Sequence, residues 1–202
     1  MDRFDKNTLT NSYFSYNDNL TNALLGGVKE YVLFLSITNL TSLIEKDGNE
    51  GYSFLLRNFT RQLRDTTGQM SLFLYRDNML CFILPDFNRH SIIKLCEKIY
   101  ALSKMCKSLN GSQYPLDITY IASHFSQEYN TVASFNNAME KIFPVYTKDS
   151  EPDLLHFPET NHTRRASKTG YLLSVIDEAF SNKSFQIKLQ PVVNNINWRM
   201  VG

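Results

Sequence analysis

The sequence has little cysteine and almost no excess charge. Its 202 residues include three cysteines, Cys81, Cys96 and Cys106, without C-x-x-C spacing. This count argues against a disulfide framework and against a zinc site, so we expect three reduced thiols. The chain has 21 basic and 20 acidic residues, which gives a formal net charge of +1. Bulk electrostatics therefore favours neither nucleic acid nor a membrane surface as a partner.

Long hydrophobic runs and targeting segments are also missing. The chain has no apolar run of the roughly 18 residues that a membrane span needs, and no signal peptide. We therefore expect a cytoplasmic chain, although segments outside it could anchor a longer parent in the inner membrane. The four histidines lack metal-ligand spacing, and we expect neither a metal nor a cofactor. What remains is 43% hydrophobic and 20% charged residues, which is enough for one globular core.

Hydrophobic periodicity predicts the secondary structure. The predicted helices cover residues 5–25, 52–65, 88–109, 130–142 and 171–184. A further short helix starts at Leu40 and is broken by the segment KDGNEG at 46–51. The predicted strands cover residues 31–37, 71–75, 79–84, 116–125 and 152–157. In the helix at 52–65, we expect Phe54, Leu55, Phe59 and Leu63 to face the core.

This order of elements predicts an α/β (α+β) fold, with one mixed, ferredoxin-like sheet flanked by helices. We expect the helical crossovers to make parallel neighbours and the hairpin to be antiparallel. Three regions follow: a domain over 1–158, a linker with a connecting helix over 159–184, and a β-hairpin over 185–202. The fold class thus includes a C-terminal linker helix and hairpin.

The segment SLFLYRDNMLCFILP (71–85) predicts two buried strands joined by a polar turn of Arg76, Asp77 and Asn78. This hairpin resembles the signature of the GGDEF domain, the diguanylate cyclase fold. The signature reads RLGGDEFAVLLP where this chain reads LYRDNMLCFILP. The resemblance covers roughly residues 5–158 and implies a nucleotidyl-cyclase-like fold.

The resemblance also implies that the catalytic positions are lost. Arg76 and Asp77 stand for the two glycines that let the backbone approach a nucleotide. Asn78 replaces an acidic metal ligand, and Met79 replaces the glutamate near the reacting hydroxyl. Leu80 follows at the phenylalanine position. The first-strand aspartate, a second metal ligand in the family, corresponds to Ser36. We interpret Asp77 as a turn residue.

The nucleotide contacts of the family are altered too. Its two base-contacting residues align with Ile44 and Ser53, and the R-x-x-D inhibition site aligns with Thr67 and Met70. The late helix of the family corresponds to 135–139, and its phosphate-binding lysine aligns near Phe143. We therefore expect neither GTP nor cyclic-di-GMP to bind, because a guanine edge left unpaired is costly.

The C-terminal segment resembles the beginning of an EAL domain, the cyclic-di-GMP phosphodiesterase fold. The resemblance rests on Gln190-Pro191-Val192 and on the strand from Trp198 to Gly202. It implies a GGDEF–EAL tandem, in which an EAL domain of the same polypeptide is the partner. A homodimer is left open.

Together these features predict a catalytically inactive GGDEF domain that regulates a tandem protein of bacterial cyclic-di-GMP signalling. The alternative is an adaptor of the degenerate GGDEF–EAL type, which steers regulatory RNA towards a ribonuclease without cyclic-di-GMP chemistry. Arg164, Arg165 and Lys168 form a small basic group that is either a solvated linker or a contact with RNA or an acidic protein.

Overall fold

The structure, a computed structural model, describes residues 10–27, 30–68, 70–125, 129, 131–147 and 155–158, and the backbone of 4–5. The strands are β1 (Phe4–Asp5), β2 (Thr10–Asn11), β3 (Glu30–Ile37), β4 (Leu72–Arg76), β5 (Met79–Pro85), β6 (Ile118–Phe125) and β7 (Leu155–His156). The helices are α1 (Tyr13–Leu25), α2 (Leu40–Thr67), α3 (Arg89–Lys104) and α4 (Val132–Thr147).

The described strands form one sheet in the order β1-β2-β4-β5-β3-β6-β7. The pairs β2–β4 and β6–β7 are parallel, and the other pairs are antiparallel. The predicted fold class, with a mixed sheet and flanking helices, is confirmed. The expectation that the crossovers make parallel neighbours is wrong for the central strands. Helix α2 joins β3 to β4, but β5 lies between them, and β3 likewise separates β5 from β6.

The sheet separates two helical layers because side chains alternate between its faces. Leu33, Leu35 and Ile37 of β3 belong to a buried cluster with residues of α2 and α3. Val32 and Phe34 belong to a second cluster with residues of α1 and α4. The strands at 31–37, in the hairpin and at 116–125 are confirmed, and their residues are mostly buried on both faces of the sheet.

Three helix boundaries differ from the prediction. Helix α1 begins at Tyr13 rather than at residue 5, because the Ser12 side chain caps it by accepting from the Ser15 backbone N–H. Helix α3 ends at Lys104 rather than at 109, where the chain turns so that the Leu116 backbone N–H can donate to Ser103. Helix α4 continues past 142 to Thr147, although Pro144 lies inside it.

Helix α2 contains the predicted break at Gly48, where two helical segments meet at a kink. Gly48 has φ 67° and ψ −176°, and the residues on both sides remain helical. Leu55, Phe59 and Leu63 face the core as predicted. Phe54 does not: it is 38% exposed, and Leu56 is buried instead. The helix therefore turns a slightly different face to the sheet than its spacing indicated.

No helix in the described part of the chain is long and apolar enough to cross a membrane. The final predicted strand at 152–157 corresponds to the two residues of β7. The predicted linker and connecting helix at 159–184, the hairpin at 185–202 and the basic group at 164–168 lie outside the described residues.

Candidate functional site

The candidate site lies at the end of the sheet where β3 ends and the β4–β5 hairpin turns. Strands β3 and β5 are paired so that Ser36 lies opposite Met79 and Leu35 lies opposite Leu80. The Ile37 backbone N–H donates to the Asn78 carbonyl at 2.9 Å. The structure therefore brings Ser36, Asn78 and Met79 together at one end of the sheet.

The positions that this pairing brings together have no acid–base chemistry of their own. Ser36 is 2% exposed, Met79 is 3% exposed and Leu80 is fully buried. A hydroxyl and a thioether are poor ligands for Mg²⁺, which prefers carboxylate oxygen, and neither serves as a general base at neutral pH. Among the described residues, no group of three or more His, Cys, Asp or Glu side chains could hold a metal ion.

The turn itself is shorter than predicted. Arg76 pairs with Met79 and is the last residue of β4, so only Asp77 and Asn78 form the turn. The Tyr52 hydroxyl of α2 donates to the Asp77 carbonyl, which anchors that helix to the turn. The Asp77 side chain is exposed. This fits its interpretation as a turn residue, because aspartate favours such positions.

A β-bulge at Tyr75 determines where the end of β4 points. Leu74 pairs with Leu80 whereas Arg76 pairs with Met79, so β4 has one extra residue between them. A bulge of this kind re-aims the side chains that follow it. Tyr75 is buried in the cluster with α1 and α4, and Arg76 also reaches α4, although strict alternation would send it to the opposite face.

Arg76, Tyr75 and Glu140 form the polar network of the site. The Arg76 guanidinium forms an ion pair with the Glu140 carboxylate of α4. The Tyr75 hydroxyl donates to Glu140 Oε1 at 3.0 Å. Burial raises the pKa of Tyr75 above its ordinary value, so this hydroxyl stays protonated and remains a donor. The acidic side chain that α4 brings to this region is thus already occupied by two donors.

Phe143 lies near the position at which the sequence analysis placed the phosphate-binding lysine of the family. It is 3% exposed. Its ring lies edge-on to Phe34 and Tyr75, with centroids 5.0 and 5.7 Å apart. The Arg76 guanidinium lies 5.5 Å from the Phe143 ring centroid. Phe143 is therefore part of the aromatic core, and the cation nearest to its ring is paired with Glu140.

The remaining predicted positions lie along or just beyond α2. Ile44 and Ser53 are half-buried on either side of the Gly48 kink. Ser53 directly follows Tyr52, whose hydroxyl bonds to the hairpin turn. Thr67 ends the helix, and its hydroxyl donates to the Leu63 carbonyl at 2.7 Å. Met70 packs against the core beside β4.

A second network links α1 to α4 and was missed by the sequence analysis. The Tyr16 hydroxyl donates to Asn136 Oδ1 at 3.0 Å. Asn136 Nδ2 donates to the Tyr13 hydroxyl at 3.1 Å and to Asn17 Oδ1 at 3.0 Å. Glu140 was missed as well. The sequence signal for Asn136 and Glu140 was weak, because each is a polar residue within the apolar periodicity of α4.

The predicted thiols and histidines have ordinary surroundings. Cys81, Cys96 and Cys106 are free and buried. Burial raises the pKa of Cys96 and of Cys106 to about 12, so these thiols are poor nucleophiles at neutral pH. His156 lies against the ring of Tyr146, with centroids 4.5 Å apart.

Comparison with known proteins found no matching family model and no matching curated protein. Solved structures do match. The GGDEF domain of TpbB (YfiN) from Pseudomonas aeruginosa has a TM-score of 0.66 at 14% identity, covering 81% of this chain and 99% of that one. The GGDEF domain of FimX from Pseudomonas aeruginosa has a TM-score of 0.67 at 11% identity, covering 78% and 100%.

The GGDEF domain of DgcB from Caulobacter crescentus, solved in complex with c-di-GMP, has a TM-score of 0.63 at 13% identity. The match covers 79% of this chain and 96% of that one. Identities this low establish the fold and not the activity. The described part of the chain therefore has the fold of a GGDEF domain.

Proposed function

We propose that this chain is a catalytically inactive GGDEF domain that serves as a regulatory or interaction module in cyclic-di-GMP signalling. One observation carries the proposal. At the end of the sheet where β3 meets the hairpin turn, the paired positions are Ser36 and Met79, with Asn78 beside them. None of the three is a carboxylate.

Phosphoryl transfer depends on metal-assisted charge stabilisation and on positioning, with little covalent chemistry from the protein. Removing both metal carboxylates removes the largest electrostatic contribution. Glu140 does not replace them, because it is held by Arg76 and Tyr75. Asp77 is a single exposed carboxylate, and one such group is a poor magnesium site.

The regulatory role follows from what such a domain retains. It keeps a folded sheet, two covered faces and helices that can contact a second domain. The partner we propose is an EAL domain of the same polypeptide, on the strength of the resemblance at 185–202. Such a module would act by positioning its partner, and GTP and cyclic-di-GMP would not be its ligands.

Thermal melting with excess Mg²⁺–GTP, and separately with cyclic-di-GMP, tests the proposal together with a cyclase assay. A ligand that binds only the folded state at 100 times its Kd would add about 2.7 kcal/mol, which is an easily measured shift. We expect no shift and no cyclic-di-GMP product. Product formed by this chain and abolished in Asp77→Asn would show that the domain is a cyclase. A shift with GTP but without product would show instead that it is a nucleotide-regulated domain.

A further inference from the structure

The two helical layers carry different charge, although the whole chain has a net charge of only +1. Helices α2 and α3 together contain eight basic and five acidic side chains, and three of the acidic ones lie before residue 52. Residues 52–67 of α2 and all of α3 contain seven basic and two acidic side chains. Helices α1 and α4 together contain one basic and two acidic side chains. The basic residues of residues 52–67 and α3 are Arg57, Arg61, Arg64, Arg89, Lys94, Lys98 and Lys104, and the acidic residues there are Asp65 and Glu97. Sequence reading missed this asymmetry because the charges do not form a run.

The fold brings some of these residues, such as Arg64 and Arg89, towards the end of the sheet away from the hairpin turn. Helix α2 starts just after Ile37, at the end where the hairpin turns. Strand β5 runs the other way and ends at Pro85, opposite Glu30, so α3 starts at the far end. Both helices pack on the same buried cluster. The C-terminal half of α2 and the N-terminal half of α3 therefore share one face, away from the hairpin turn.

Three of these basic residues form a stripe along α2. Phe54, Arg57, Arg61 and Arg64 are spaced by three, four and three residues, so they lie on one side of the helix. We call these four residues the α2 stripe. Phe54 is 38% exposed, whereas its neighbours Leu55 and Leu56 are 1% and 2% exposed. Arg57 and Arg61 are also exposed. One aromatic ring is thus followed by three guanidinium groups along one side of the helix.

Two lysines of α3 extend this surface. At 100° per residue, Lys94 and Lys98 lie about 60° and 100° around α3 from Glu97, and all three side chains are exposed. Glu97 lines a groove with Tyr100 and Leu155, on the side of β7. The other two basic residues of α3 are engaged elsewhere, since Arg89 lies over the Phe157 ring and Lys104 pairs with Asp117. Lys94 and Lys98 therefore lie on the exposed face of α3, which packs beside α2 on the same cluster.

We propose that the α2 stripe, together with Lys94 and Lys98, binds single-stranded nucleic acid. The planar guanidinium fork matches phosphate oxygens and contacts them in pairs. An exposed aromatic ring among such cations offers a surface on which a base stacks. A protein partner would need an apolar centre with several aromatic or aliphatic anchors, whereas this surface offers one ring among five cations. The proposal does not depend on the regulatory role proposed above.

Fluorescence anisotropy with labelled single strands of about 15 nucleotides, as RNA and as DNA, tests the proposal. We expect binding of at least one of them at low salt. If about five phosphates are contacted, affinity falls roughly a hundredfold between 50 and 200 mM salt. In the triple variant Arg57→Gln, Arg61→Gln, Arg64→Gln, we expect the slope of log K against log salt to flatten by about 2. The control Lys141→Gln, on exposed α4 of the other layer, should leave the affinity unchanged.

Phe54→Leu separates stacking from charge. It keeps every cation, and we expect it to weaken single-strand binding about tenfold with the salt slope unchanged. Circular dichroism and melting confirm that each variant is folded. The proposal is wrong if neither strand binds at 50 mM salt, or if the triple variant binds like the wild-type chain. Equal affinity for labelled poly-glutamate would also overturn it, and would indicate an acidic protein partner.

Discussion

Arg76 at the end of β4 forms an ion pair with Glu140 in α4, across the edge of the second buried cluster. Their side chains are 43% and 40% exposed, so water and salt screen their attraction. The pair matters through geometry. The bulge at Tyr75 directs Arg76 towards α4, and Glu140 then holds its guanidinium beside the Phe143 ring. One residue inserted in a strand thus brings a cation of β4 against the aromatic residues of α4.

The first prediction is that this pair contributes little to stability. In a double-mutant cycle with Arg76→Gln and Glu140→Gln, we expect a coupling of about 0–1 kcal/mol, since both groups are hydrated. Urea unfolding in low salt measures it, and 1 M NaCl should reduce it towards zero. A coupling above roughly 2 kcal/mol that resists salt would mean that the pair is buried in solution and structurally essential.

The second prediction concerns Asn136, which is 7% exposed and joins α1 to α4. Asn136→Leu removes the acceptor of the fully buried Tyr16 hydroxyl, and an unsatisfied buried hydroxyl costs about 1–3 kcal/mol. Burial raises the pKa of Tyr16 far above its ordinary value, so the hydroxyl cannot escape the loss by ionising. We expect the free energy of unfolding to fall by about that amount.

The matched control for Asn136 is Tyr16→Phe, which removes the hydroxyl itself. In the Asn136→Leu background, Tyr16→Phe should restore part of the lost stability, because the orphaned donor is gone. Guanidinium unfolding of the two single variants and the double variant measures this. If the double variant instead loses the sum of the stabilities lost by the two single variants, the account is wrong. The cost of Asn136→Leu would then come from packing.

The sequence predicted the core strands well and the region around the site only in part. Strand β3 is apolar on both faces, and that pattern has few alternatives to a covered strand. The bulge at Tyr75 has no such signature, because the partner strand and not the local sequence decides which residue is extra. The Arg76–Glu140 pair, 64 residues apart in the chain, follows from the bulge and was therefore missed.

The predictions of helix boundaries and of buried helix faces were wrong for a related reason. Periodicity identified the buried side of α2 but placed Phe54 on it, since one residue at the edge of an apolar stripe can face either way. Tertiary packing determines which way it faces. In the same manner, Ile142 and Phe143 are buried against the sheet and hold α4 in a helix up to Thr147, beyond its predicted end.

The third prediction follows from Glu30. Burial, and secondarily the nearby Asp86 carboxylate, raise the pKa of Glu30 above its ordinary value. A carboxyl group whose pKa is raised in the folded state makes its full contribution to the free energy of unfolding only below the unfolded pKa of about 4.3. This stability is lost as the pH rises through the folded pKa. Ionised Glu30 therefore disfavours folding at pH 7.

Glu30→Gln should accordingly raise the melting temperature at pH 7, and the difference from the wild-type chain should shrink towards pH 4. Asp86→Asn should act in the same direction by removing the neighbouring charge. Its backbone, with φ 59°, suits asparagine. Melting curves between pH 4 and 8 provide the comparison. The account is wrong if the melting temperature of Glu30→Gln minus that of the wild-type chain is smaller at pH 7 than at pH 4.

The fourth prediction concerns Gly48, whose φ of 67° and ψ of −176° form the kink of α2. This conformation is essentially restricted to glycine, so Gly48→Ala should cost about 1–3 kcal/mol through backbone strain. Steric overlap is not the cause, because an added Cβ would have nothing within 4 Å. Gly26, which has φ −75° at the end of α1, is the matched control, and Gly26→Ala should change stability by less. If the two variants unfold at the same urea concentration, the kink is not strained in solution and α2 can straighten.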